Sequence, residues 1–141
     1  MKNTKSGFTL IELLVVLVIV GTLMAYVIPS YQRQVMVSKR TEAKNAILQI
    51  ASAEEKHNAT YNTYTQNIGG TGVDGDSLGL GSAPFMTSAN YTFSVSLAPV
   101  TGYTITATAI GTSQINDNIT LDCTTLTLNA LGQKTLLGCW Q

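Results

Sequence analysis

The chain has 141 residues, of which 45% are hydrophobic and only 11% are charged, with eight basic side chains set against eight acidic ones. Once an N-terminal apolar segment is subtracted, that length leaves room for one globular domain. The near-neutral balance excludes the strongly basic footprint of a protein that holds nucleic acid through broad electrostatics.

Lys2 and Lys5 open the chain, and from Gly7 to Gln32 the only charged residue is Glu12. The stretch from Leu13 to Ile28 reads LLVVLVIVGTLMAYVI. With Phe8 to Ile11 it approaches the roughly 20 residues that cross a bilayer. No Ala-x-Ala-like site follows the run, which continues as Pro29-Ser30-Tyr31-Gln32-Arg33, so ordinary signal cleavage is not expected there. The basic residues ahead of it place the N-terminus in the cytoplasm and the part after Arg33 outside. Glu12 then stands at the mouth of a membrane span, where an unpaired carboxylate costs roughly 2.5 to 3.5 kcal/mol or more. Such an acid needs a partner.

The run Gly7-Phe8-Thr9-Leu10-Ile11-Glu12-Leu13 behind a short basic leader resembles the class III signal of type IV (type IVa) prepilins and related pseudopilins. The resemblance extends over residues 5–31 and includes Gly21 and Pro29 at the family's helix-loosening positions. It implies three segments: a leader, 1–7; a transmembrane and filament-core helix, 8–32; and an extracytoplasmic globular domain, 33–141, that includes the amphipathic half of the helix. It further implies cleavage between Gly7 and Phe8 by a prepilin peptidase, N-methylation of Phe8, and assembly through Glu12. Cleavage creates a cationic amine on Phe8 at about the depth of Glu12, and pairing of one subunit's amine with a neighbour's Glu12 would remove a charge penalty on docking. Pairing of Glu12 with its own amine, or protonation near the headgroups, are the alternatives.

Beyond Pro29 the helical pattern continues from Ser30 to His57. Ala43, Ala46, Ile47, Ile50, Ala51 and Ala53 form an apolar stripe, while Arg33, Arg40 and Lys44 lie together on another face. That basic face suits lipid headgroups or acidic neighbours, and equally a plain solvated surface. From Phe8 to His57 a helix would be about 75 Å long, and Gly21 and Pro29 predict a kink or a melted stretch between them. Residues 60–88 shift to Gly, Thr, Asn and Ser and predict a long loop. Within it Gly70, Gly72 and Gly75 satisfy G-x-G-x-x-G, but no strand precedes and no striped helix follows, so a phosphate cradle is not expected. Asp74 and Asp76 would supply only two of the six to eight oxygens that calcium takes.

The C-terminal part alternates as strands do. Tyr91, Phe93, Val95 and Leu97 share one face, and after Pro99-Val100-Thr101-Gly102 the pattern resumes with Tyr103, Ile105, Ala107 and Ala109. A third strand around Leu126 and Leu128, and a turn at Leu131-Gly132-Gln133-Lys134 into a fourth, complete an antiparallel sheet of three to four strands. Its apolar face would cover the helix stripe, an α+β arrangement and the pilin fold that the resemblance implies.

Cys123 and Cys139 are the only cysteines, and in an exported domain they predict a disulfide that staples the chain end to the sheet. Gly138-Cys139-Trp140 also resembles the disulfide-bounded end of pilins. His57, the only histidine, has no nucleophile and base assembled around it and reads as a capping or surface residue. No cofactor, metal or enzymatic activity is expected. The resemblance implies a structural subunit of a type IV pilus that serves motility, adhesion or DNA uptake, with a type II secretion pseudopilin or an adhesive minor or tip pilin as the alternatives. Its partners would be copies of itself, other pilins, the prepilin peptidase, the inner-membrane assembly platform and, before assembly, membrane lipid. Its location would be the inner membrane and then the extracellular pilus. Outside the helix Lys134 is the only basic residue of the mature domain, so nucleic-acid contact through the globular face is not expected.

Overall fold

The computed structural model describes residues 7–70, 72, 75–81, 86, 90–99, 102–110, 123–135 and 137–140. One helix, α1 (Leu10–Tyr61), is followed by three strands, β1 (Tyr91–Ala98), β2 (Gly102–Ala109) and β3 (Thr125–Asn129), and by a 3-10 turn, Leu137–Trp140. The chain divides into two compact units, Met1–Val35 and Met36–Gln141.

In the first unit the helix is apolar on every side. Leu10, Ile11, Leu13, Leu14, Val16, Leu17, Ile19, Leu23 and Ile28 are each at least half exposed, which water does not tolerate over so long a run. Among the described residues α1 is the helix long and apolar enough to cross a membrane. Pro29 lies inside α1, and among the described residues nothing beyond the helix's own adjacent backbone lies within 4 Å of the place a Cβ would take at Gly21. No packing contact within the chain therefore demands glycine at 21.

In the second unit α1 carries the buried series Ala43, Ala46, Ile47, Ile50, Glu54 and His57, spaced three and four apart on one face. The apolar stripe read from sequence stops at Ala53, whereas the buried face continues in two polar residues. Ala51 and Ala53 turn out half-buried at its edge. Small Ala43 and Ala46 let the helix lie close to the sheet, and Ile47 and Ile50 fill the remaining space with no exposed surface. Each such isoleucine contributes about 1.5–3 kcal/mol by leaving water.

The sheet has the order β1-β2-β3, antiparallel throughout, so it is built from consecutive neighbours. Tyr91 faces Ala109 and Val95 faces Ile105 across the first pair, and Ile105 faces Leu128 and Ala107 faces Leu126 across the second. Tyr91, Val95, Tyr103, Ile105, Ala107, Ala109, Leu126 and Leu128 are buried and share one core with the helix stripe. Leu97 departs from the expected alternation: it is 43% exposed near the end of β1, although it pairs across the strand with buried Tyr103. The anticipated fourth strand is a single bridge, Leu128↔Lys134. Gly132, with φ of 75°, turns the chain for it, and Asn129 holds the turn by accepting from the amides of Leu131 and Gln133.

The disulfide joins Cys123 to Cys139 across a separation of 16 residues. Both cysteines are buried, so the bond ties the terminal turn to the start of β3 from inside the core.

Candidate functional site

At the N-terminal end, Thr9 and Glu12 form a reciprocal cap. The Thr9 amide and hydroxyl both donate to Glu12 Oε2, at 3.1 and 2.9 Å, and the Glu12 amide donates to Thr9 Oγ1 at 3.4 Å. This is the T-x-x-E capping box, in which the first and fourth residues satisfy each other's free amides at a helix start. The sequence carries that signal at residues 9 to 12, and the sequence reading passed over it. Glu12 thus has a local task in the uncut chain that neither its own amine nor a neighbour supplies. Phe8 beside it is 80% exposed.

A second cluster gathers around Lys44. Partial burial of its stem, and then the positive charges of Arg40 and Lys134, push its ammonium below the usual lysine range. Arg40 and Lys44 are one helical turn apart on α1; Lys134 arrives from the turn after β3, delivered by the Leu128↔Lys134 bridge. Its Nζ lies 4.8 Å from the centre of the Trp140 ring, a cation–π contact. Trp140 is held in turn by donation from its Nε1 to the Thr135 carbonyl at 3.1 Å and by the neighbouring disulfide. Lys134 is exposed and Lys44 and Trp140 are half-buried, so the cluster lies at the surface. Lys134 seemed isolated because it was counted by segment; the fold places its charge beside two others.

The third site is the last two turns of α1. His57 is buried, not a surface cap as its position in the sequence suggested. Its Nδ1 lies 2.7 Å from the Thr63 carbonyl oxygen and its Nε2 3.0 Å from that of Gly75. Glu54, with no exposed surface, accepts from the Thr65 amide at 3.2 Å through Oε2, while Oε1 has no hydrogen-bond partner among the described residues. Nearby, Tyr103 donates to Glu55 at 3.1 Å and meets Tyr64 edge-on at 5.0 Å. Burial and the Glu55 carboxylate push the Tyr103 phenol far up, which keeps it a donor. Gly70 and Gly75 have positive φ, and a Cβ at Gly70 would meet Ser77 Oγ at 2.5 Å. These glycines serve close packing of the loop: a Cβ at Gly75 would meet the Tyr61 ring. Asp76 is exposed and Asp74 lies outside the described residues.

Burial holds the Glu54 carboxyl above its ordinary value, opposed by the Thr65 amide and by His57. The folded state therefore binds this proton more tightly than the unfolded chain. Its contribution to stability is complete below the ordinary carboxylate range and is lost as pH rises through that range to the folded value. Glu54→Gln keeps an acceptor for Thr65 and removes the charge. We expect it to be more stable than the natural chain at pH 7, with the difference vanishing below about pH 4 in urea titrations at both pH values.

Comparison with known proteins places these features. A model of the prokaryotic N-terminal methylation motif matches residues 2–28, and with the long apolar helix and the packed antiparallel sheet it defines a type IV pilin. The chain belongs to the family described as type IV minor pilin ComP, DNA uptake sequence receptor, whose model matches residues 29–127, more than two thirds of its length. It is also similar to the fimbrial protein EcpC of Eikenella corrodens, 47% identical over 45 residues, covering 32% of this chain and 29% of that protein. No solved structure matches the chain. Pilin families are structural proteins.

Proposed function

We propose that this chain is a minor subunit of a type IV pilus that contacts DNA through the surface formed by Arg40, Lys44, Lys134 and Trp140. The carrying observation is the cluster itself: Lys44 feels the positive charges of Arg40 and Lys134, which come from two parts of the chain, and Lys134 lies over the Trp140 indole. Phosphates take cations and bases take aromatic faces, so this combination suits a nucleic-acid strand. The family description of a DNA uptake sequence receptor supports the same reading. It replaces the expectation that the globular face avoids nucleic acid, which rested on Lys134 alone.

Delivery to that role follows the pilin pathway. The leader is cut between Gly7 and Phe8, Phe8 is methylated, the apolar helix waits in the inner membrane, and the subunit then joins other pilins in an extracellular filament through the assembly platform. Gly21, with open space around it, and Pro29 loosen the helix during that packing. The subunit has no enzymatic role in this account. The pilin family match favours this pathway over the secretion pseudopilin.

Lys134→Ala in the full chain, held in detergent micelles, tests the DNA contact. Fluorescence anisotropy with a labelled duplex is expected to show weaker binding and a salt dependence shallower by about 0.9 in log K against log salt. An unchanged slope places the phosphates elsewhere.

A further inference from the structure

We propose that the α1 turn from Glu54 to His57 is a proton-operated latch that holds the two arms of the segment after the helix, residues 62–70 and 75–80, against it. The geometry demands a proton count. Both nitrogens of His57 face carbonyl oxygens, those of Thr63 and Gly75, and a carbonyl oxygen only accepts. A neutral imidazole has one N–H and can satisfy one of them, leaving a lone pair aimed at the other. The closed arrangement is therefore that of the imidazolium, with two donors.

The bonds of the segment to the helix converge on this turn. Thr63 and Gly75 are bound by His57, and the Thr65 amide by Glu54 one turn earlier. Thr65 then passes the restraint on, donating from its hydroxyl to the Asp76 carbonyl at 2.9 Å. Further out, Leu78 and Leu80 donate to the Asn67 and Ile68 carbonyls, so the two arms of the segment move together. Removing one proton at His57 weakens a hydrogen-bonded contact that ties both arms to α1.

The charged groups around His57 are of both signs. Glu54, whose charge interacts with it, lies on the same helical face with no exposed surface. The Tyr61 ring stands 4.9 Å away at a tilted angle, and Lys56 lines the same cavity of about 300 Å³ on the helix side. From the segment, Ser77, Leu78 and Leu80 line that cavity, and Asp76 follows Gly75 in the chain with its side chain exposed. Histidine side chains change charge between about pH 5 and 8. Acid closes the latch, and rising pH releases the segment and uncovers Ser77, which is buried in the closed form.

The chain has one histidine, so its ring signals need no assignment. The test is made on the full chain in detergent micelles between pH 5 and 8.5. Nitrogen-15 spectra should show both ring nitrogens protonated at the acid end. Hydrogen exchange, read as the ratio of residues 62–70 and 75–80 to β2 in the same sample, should show the segment losing about tenfold in protection as the ring loses a proton. His57→Gln should remove that pH dependence. A neutral ring at a pH where the segment is protected, or a protection ratio flat across the range, overturns the proposal. Both readings on the natural chain stand without the variant, so a misfolded His57→Gln leaves the test decisive.

Discussion

Glu12→Gln is expected to leave a processed, membrane-inserted subunit that is depleted in sheared pili on the order of a hundredfold. Glutamine can still form the capping box with Thr9, because its side-chain oxygen accepts from the same amide and hydroxyl that now bind Glu12 Oε2. What it lacks is charge. In the proposed pathway leader cleavage would expose the Phe8 amine, and an amine facing a neutral side chain in a dry filament core would be an ion that has lost its partner. Removing one member of such a buried pair costs about 3–5 kcal/mol, and 1.4 kcal/mol is a factor of ten in an equilibrium. The monomer itself gains, since one fewer charge enters hydrocarbon. Quantitative mass spectrometry of pili and membranes reads both pools. If Glu12→Gln assembles normally while Glu12→Ala does not, Glu12 acts by capping the helix, and the charge-pairing account fails.

The second large effect is expected at the disulfide. Cys139→Ser frees a loop that the bond to Cys123 now closes, with 16 residues of separation, and closure on that scale is worth about 3 kcal/mol. Both sulfurs are buried, so the serine hydroxyl also enters the core, where it needs a partner. The melting temperature should fall by on the order of 10 °C or more. The consequence reaches the surface as well. Trp140 is the residue next to Cys139, and Lys134 rests on its ring. Cys139→Ser should therefore weaken DNA binding even below its melting temperature, whereas Lys134→Ala should weaken binding with little change in melting. Unchanged unfolding in oxidising buffer would mean that the bond contributes no stability.

Much of this protein was open to reading from local pattern. Apolar residues in near-unbroken sequence identify a helix long enough to span a membrane, alternation identifies β1 and β2, and two lone cysteines in a domain expected to be exported point to each other. The helix stripe Ala43, Ala46, Ile47 and Ile50 was legible for the same reason: burial follows from periodicity, which is a property of neighbours in the chain. The Thr9 and Glu12 cap was also within reach, as a four-residue signal that attention to the charge of Glu12 overshadowed.

The rest depended on which distant residues meet. Lys134 gains its significance from Arg40 and Lys44, more than eighty residues earlier, and charge interactions fall with distance in space, not along the chain. His57 looked like a surface cap because it sits where the helical pattern ends, and a cation at a helix C-terminus is favourable. Only the folded loop brings the Thr63 and Gly75 carbonyls to its two nitrogens. Sequence by itself determined the anchor, the processing signal, the strands and the disulfide, because each rests on covalent order or local periodicity. The tertiary structure alone decided the cation cluster and the histidine latch, because each is made by closing long loops around side chains whose own neighbours in sequence say nothing of them.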